Sequence, residues 1–175
     1  MSKRFPSRRA FFSFPRSRGV WRAVLRRQTF ANWIIFALLA PAAPTALHAQ
    51  NAGLALFEQH CVVCHQNGGE GAPGLAPRLA GNLAERAQKE SGRAYLAQLA
   101  VSGMMGPIVS GGESFNSAMP TFAALSDEEI VAVLAYVLGD LNGVPAEQRI
   151  TPQDVAVARK RASSPNEVRH MREGK

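Results

Sequence analysis

Apolar residues recur at helical intervals in three stretches of the chain. The most regular stretch follows Ser126 and Glu129, whose spacing is that of a capping box at the start of a helix. Its apolar positions are Ile130, Val131, Val133, Leu134, Val137, Leu138 and Leu141. Residues 84–101 and residues 51–60 predict two further helices. No stretch alternates convincingly between apolar and polar residues, so the sequence predicts an all-α domain with three main helices.

Glycine, proline and serine are concentrated in two segments between these helices. Residues 66–77 are rich in glycine and proline, and residues 103–117 in glycine and serine. Both compositions predict loops, and backbone of this kind can run close to a flat ligand. The second loop leads to Met119 and Pro120.

Charge is distributed unevenly along the chain. The formal net charge is +7, but residues 1–50 hold nine lysines and arginines and no acidic residue, which leaves residues 51–175 at −2. The positive net charge therefore comes from the N-terminal segment and does not indicate nucleic acid as a partner.

The N-terminal segment predicts a secretory signal peptide over residues 1–49. A basic region precedes a short apolar run at residues 33–40 and a stretch of small residues. Cleavage is expected after Ala49, with Ala46 as second choice, and the destination is the periplasm. The alternatives are an uncleaved membrane anchor, for which the apolar run is short, and twin-arginine export through residues 7–12.

The candidate chemistry lies in Cys61-Val62-Val63-Cys64-His65. C-x-x-C-H is the pattern of covalent haem attachment. On a helix, Cys61 and Cys64 share a face and can offer two sulfurs to the vinyl groups of one macrocycle. His65 follows directly and can ligate the iron through an imidazole nitrogen. A single motif predicts a single haem.

Two other kinds of site use a cysteine pair. A dithiol redox centre requires a βαβ context and a helix N-terminus that lowers a thiol pKa, whereas the segment before Cys61 looks helical. A structural zinc site requires about four ligands, usually as two separated pairs, and the sequence has only these two cysteines. Haem is the favoured interpretation.

The order of these features over residues 50–141 resembles a small class I c-type cytochrome. The resemblance implies a cytochrome c-like fold, with three main helices wrapped around one covalently bound haem c. Cys61 and Cys64 would hold the haem, and His65 and Met119 would be the axial ligands of its iron.

The resemblance also implies three supporting contacts. The carbonyl of Pro77 would accept the imidazole proton of His65 and orient its ring. Gly53 and Phe57 of the first helix would pack against Tyr136 of the last.

Other side chains compete with Met119 for the second axial position. Met104 and Met105 form a glycine-flanked pair directly after the second helix, and His170 is a spare imidazole. Met119 is preferred because it precedes a proline and then the terminal helix, which is the arrangement of the family.

Residues 142–175 form a basic tail in which a helix-start pattern occurs twice, thirteen residues apart. Thr151-Pro152 and Ser164-Pro165 are each followed by an acidic residue at the third helical position, which predicts two short capped helices. The tail has a net charge of +3, against −5 for residues 50–141. It is expected to lie on the acidic domain or in solvent, and the alternative is a docking arm for a redox partner.

Two axial ligands from the protein would leave no iron position open to a substrate. The predicted function is therefore single-electron transfer rather than catalysis, as a free periplasmic carrier or as the cytochrome subunit of a periplasmic dehydrogenase. The expected partners are a redox donor and acceptor, such as that dehydrogenase and a terminal oxidase, with membrane contact only if the signal segment is uncleaved. The alternative is a haem-based sensor or gas-binding protein with a labile sixth ligand.

Overall fold

The structure is a computed structural model that describes residues 45–174, with side chains from residue 51 onward. The predicted signal peptide and its twin-arginine motif lie outside the described residues, except that residues 45–49 belong to the first helix. That helix begins six residues before the start predicted from the sequence.

Seven α-helices and four short strands occur within residues 45–174. The helices are α1 (Thr45–His60), α2 (Val62–His65), α3 (Ala84–Gln88), α4 (Glu90–Ser102), α5 (Asp127–Gly139), α6 (Pro152–Arg161) and α7 (Pro165–Arg172). The strands are β1 (Met104–Met105), β2 (Ile108–Ser110), β3 (Glu113–Phe115) and β4 (Ala118–Met119). The predicted all-α class is confirmed, because strand is limited to ladders of two or three residues. None of the described helices has the length and hydropathy to cross a bilayer.

Helices α1 and α5 cross at a glycine. A Cβ atom at Gly53 would lie 2.3 Å from the carbonyl oxygen of Ala132 and 3.0 Å from Cβ of Tyr136, so only glycine permits this approach. One turn later, Phe57 is fully buried with its ring centroid 5.2 Å from that of Tyr136. The predicted contact between the first and last helices of the domain is confirmed.

Helix α5 begins at the predicted capping box. The Ser126 hydroxyl accepts the backbone N–H of Glu129 at 3.2 Å, and the Glu129 carboxylate accepts the backbone N–H of Ser126 at 2.7 Å. Ile130, Val137 and Leu138 on the predicted apolar face are buried in the core. Local pattern and tertiary packing therefore agree along this helix.

The predicted single helix over residues 84–101 is wrong, because the chain breaks at Lys89. Lys89 has an extended backbone (φ −95°, ψ 137°) that ends α3 and precedes α4. The Arg93 guanidinium donates to the carbonyls of Ala87 (2.8 Å) and Gln88 (3.3 Å), so these helix-end carbonyls need no donor from a continuing helix. Apolar spacing continues across the break, which is why the pattern does not reveal it.

The predicted loop over residues 103–117 contains more order than its composition indicates. Gly111 and Gly112 both have positive φ (60° and 82°), which matches a two-residue type I′ turn, and they join β2 and β3 into a hairpin. A second ladder pairs β1 with β4 and places Met104 opposite Met119. The Gly-Gly pair was a usable hairpin signal, but the strands around it are too short to show alternation.

The two predicted tail helices, α6 and α7, are confirmed, and both are capped as expected. Thr151 and Ser164 each accept the N–H of an acidic residue three positions later. Val155 of α6 and Val168 of α7 are fully buried. Helix α6 packs on α4 and α5, and α7 packs on α4 and β1. The hydrophobic core thus extends through the tail.

A pair of matched variants in α6 tests whether the tail belongs to the core. Val155 is 0% exposed and Val157 is 48% exposed, so the same Val→Ala change removes buried methyl groups only at position 155. We expect Val155→Ala to lower the free energy of unfolding by about 2 kcal/mol, and Val157→Ala to change it by less than about 0.5 kcal/mol. Chemical denaturation of the haem-loaded proteins measures both. Equal effects at the two positions would contradict a packed tail.

Candidate haem-binding site

The cysteine motif lies where α1 continues into α2. The N–H of Cys61 donates to the carbonyl of Phe57 at 2.8 Å, and the N–H of His65 donates to the carbonyl of Cys61 at 2.9 Å, so the motif is helical as expected. Cys61, Cys64 and His65 all line one cavity of about 240 Å³. No disulfide joins the two thiols. The structure therefore brings the three predicted residues to one site.

The alternative uses of the cysteine pair find little support in this environment. Burial, and secondarily the neighbouring Cys64, raise the pKa of the Cys61 thiol to about 11, whereas a dithiol redox centre requires a lowered thiol pKa. Among the described residues, no group of three or more His, Cys, Asp or Glu side chains is placed to hold a metal ion. Neither a reactive dithiol nor a structural zinc site fits.

His65 is buried and oriented by a backbone carbonyl. Its ring donates from Nδ1–H to the carbonyl oxygen of Pro77 at 2.9 Å, which confirms the predicted partner. Because a carbonyl can only accept, Nδ1 carries the proton and Nε2 keeps its lone pair. Burial lowers the pKa of His65, and the hydrogen bond to Pro77 opposes this only in part. The ring is therefore a neutral, pre-oriented imidazole of the kind that binds iron.

Two methionines reach the cavity from paired strands. Met104 and Met119 lie opposite each other across the β1–β4 ladder, and both line the cavity. Met104 is 8% exposed, and its Sδ accepts a hydrogen bond from the Tyr95 hydroxyl at 3.8 Å. Met105 is 45% exposed and is not part of the wall. The assignment of Met119 as axial ligand stays a prediction, with Met104 as its nearest competitor.

The third competitor is placed less favourably. The His170 side chain is half exposed on α7, and its Nδ1 lies 3.9 Å from the Glu173 carboxylate. It does not line the cavity that contains Cys61, Cys64 and His65.

The wall also includes side chains that the sequence patterns did not single out. Among them are Asn82, Arg86, Ser110, Phe115, Phe122 and Arg172. They come from separate segments of the chain, and Arg172 comes from the tail. No local motif indicated them, because their proximity arises only when α3, β2, β3 and α7 pack around one space.

Comparison with known proteins agrees with this geometry. The Cytochrome c family matches residues 50–139. One cytochrome c-552 of Thermus thermophilus is 39% identical over 123 residues, which is 69% of this chain and 82% of that protein. A second cytochrome c-552 of Thermus thermophilus is 38% identical over 122 residues, which is 68% of this chain and 92% of that protein.

The family match covers the predicted motif, both glycine-rich segments and the capped helix α5. The two relatives are aligned over most of their own length. The chain therefore belongs to the cytochrome c family, and it is a mono-haem electron-transfer protein whose cofactor is covalently bound haem c.

Proposed function

We propose that this chain is a periplasmic carrier of single electrons in which Cys61 and Cys64 hold the haem through thioether bonds. In this proposal His65 and Met119 are the axial ligands of the iron. The observation that carries it is the convergence of the two thiols, the oriented His65 imidazole and a methionine thioether on one cavity. These are the donor types that haem c uses.

The residues around the cavity determine how the cofactor behaves. Haem iron, when bound, supplies a ferric/ferrous couple that exchanges one electron. His65 is fixed by Pro77 and therefore does not need to reorient between oxidation states. A thioether ligand and an apolar surrounding both favour the ferrous form, which raises the reduction potential.

Docking of redox partners is proposed at an uncharged rim beside the motif. Val63 is 81% exposed, Leu75 is 47% exposed and Met105 is 45% exposed, and Ala118 is exposed next to Met119. Met105 is paired with Ala118 across the β1–β4 ladder, and the carbonyl of Leu75 accepts a hydrogen bond from the Ser117 hydroxyl, so these three residues lie close together. Exposed apolar side chains favour brief contacts with another protein. The partners proposed are a periplasmic dehydrogenase as donor and a terminal oxidase as acceptor, with this chain as a free carrier or as a subunit of the dehydrogenase.

Export to the periplasm is proposed from the basic and apolar character of residues 1–49. Intact-mass measurement of the purified protein tests it. We expect a mature chain that begins at Gln50 and carries one haem. A protein that retains residues 1–49 would instead be consistent with the anchored form.

Binding of carbon monoxide to the reduced protein separates an electron carrier from a gas sensor. With both axial positions filled by side chains, we expect the ferrous spectrum to be unchanged by carbon monoxide at neutral pH, and the protein to undergo reversible one-electron reduction. Rapid formation of a carbon monoxide adduct would contradict the carrier and support a labile sixth ligand.

A further inference from the structure

One part of the cavity wall is cationic and has no acidic side chain. Arg78, Arg86 and Arg172 line the cavity, and no aspartate or glutamate of the described residues does so. None of the three arginines takes part in the ion pairs found among residues 51–174. Positive charge beside an apolar cavity is unfavourable unless an anion accompanies it, so this region is suited to a negatively charged group.

Arg86 and Arg172 are held in place by contacts between four elements. The Arg86 guanidinium lies 4.9 Å from the centroid of the Tyr95 ring, and Arg86 Nη1 is 3.5 Å from the carbonyl oxygen of Arg172. Arg172 Nη2 donates to the carbonyl of Val109 in β2 at 3.1 Å. Helices α3, α4 and α7 and strand β2 therefore meet at this point. Both arginines keep further N–H groups that can donate to a ligand.

Neutral hydrogen-bonding groups continue this polar edge. Asn82 Nδ2 lies 3.2 Å from the Ser110 hydroxyl, and both residues line the cavity. The lining also includes His60, which directly precedes Cys61, and Phe122, and their ring centroids are 6.0 Å apart. The lining thus combines the two thiols with cationic and polar side chains that come from other segments of the chain.

Haem carries groups that suit both kinds of side chain, because its rim has vinyl groups that react with thiols and two carboxylates that pair with cations. We propose that Arg86 and Arg172 bind the haem carboxylates, so that the C-terminal helix α7 contributes directly to the cofactor site. This inference rests on the assignment of the cavity as the haem site. Arg172 lies beyond the family match of residues 50–139. A guanidinium matches a carboxylate in charge and in geometry.

The expected consequence is a change in the ferrous-to-ferric equilibrium. Loss of an arginine leaves a carboxylate without its cation, and the remaining negative charge favours ferric iron. At a fixed electrode potential, we expect Arg172→Gln to lower the ferrous-to-ferric ratio about tenfold, which corresponds to a fall of about 59 mV in midpoint potential. Arg86→Gln is expected to act in the same direction. Spectroelectrochemistry of the haem-loaded full chain measures both.

Two control variants distinguish the effect of lost charge at the haem from the effect of a disturbed fold. Lys160→Gln removes the same charge from an exposed site on α6 that does not line the cavity, and we expect less than a twofold change in the ratio. Arg172→Lys keeps the charge and should stay nearer to wild type than Arg172→Gln. A wild-type absorption spectrum and thermal midpoint show that the fold is intact.

The results distinguish failure of the carboxylate-binding role from failure of the proposed function. If Arg172→Gln and Lys160→Gln give the same ratio, the carboxylate-binding role is overturned while the haem site stands. If Arg172→Gln does not accumulate, Arg86→Gln decides by the same comparison with Lys160→Gln. A wild-type chain that carries no haem would overturn the proposed function itself.

Discussion

Joint replacement of Cys61 and Cys64 by alanine is expected to abolish covalent haem. Both thiols line the cavity, and without them no bond survives denaturation of the protein. Haem staining after denaturing electrophoresis, on protein produced with haem-maturation machinery, measures the result. We expect less than about one hundredth of the wild-type signal, since no other cysteine exists in the chain. Retention of a haem-stained band would contradict the attachment residues.

The same double variant should also be strongly destabilised. Without the cofactor, a cavity of about 240 Å³ loses its contents. The apolar side chains that line the cavity are then exposed to water, so we expect the free energy of unfolding, measured by chemical denaturation, to fall by several kcal/mol, a large part of the whole stability of a small domain. Val63→Ala is the control, because it lies between the cysteines and is 81% exposed. We expect that variant to retain haem and wild-type stability.

Replacement of Met119 by leucine is expected to open the iron to small ligands. Leucine has nearly the same volume but no thioether sulfur, so packing is conserved while the ligand is lost. We expect loss of the weak red Met-to-iron band in the ferric spectrum, and rapid carbon monoxide binding by the ferrous form. The midpoint potential should fall by more than about 59 mV, which corresponds to a tenfold change in the ferrous-to-ferric ratio at a fixed electrode potential.

Met104→Leu is the matched control, because Met104 is the cavity methionine on the strand paired with that of Met119. Its sulfur accepts a hydrogen bond from the Tyr95 hydroxyl, so the main loss expected in Met104→Leu is this one weak hydrogen bond. The red band and the resistance to carbon monoxide should persist. A reversed result, with the band lost only in Met104→Leu, would transfer the axial role to Met104.

The tail changes how partner docking can be tested. Deletion of residues 145–175 removes the candidate docking arm, but it also removes Val155 and Val168, which are fully buried. Arg159 of α6 further donates to the Asp127 carboxylate at 2.6 Å. Loss of partner turnover after such a deletion would therefore report unfolding of the core as readily as loss of an interface. Point substitutions of exposed tail residues are the appropriate test.

Some features followed from sequence because they depend on chemistry within one or two helical turns. The capping boxes at Ser126, Thr151 and Ser164 satisfy backbone groups a few residues away, and all three form. The contact of Gly53 with α5 and the bond from His65 to Pro77 were expected from the family resemblance, and both are present.

Other features were missed because local pattern carries no information about them. The break at Lys89 depends on Arg93 reaching back to two carbonyls, while the apolar periodicity runs on unchanged. The strands β1 and β4 are two residues long, which is too short for alternation to appear. Pairing between residues fifteen positions apart, as in Met104 and Met119, is decided by the fold of the intervening hairpin.

The sequence by itself determined the haem motif, the helical class and the residues at which the capped helices begin, because each is specified by neighbouring residues. Only the tertiary structure decided which side chains share the cavity with that motif, and that the tail completes the core. Arg172 and Cys61 are more than one hundred positions apart, and packing of α7 against α4 and β1 brings them to one wall. This proximity depends on the burial of many apolar surfaces from all parts of the chain. No single segment of the sequence therefore predicts it.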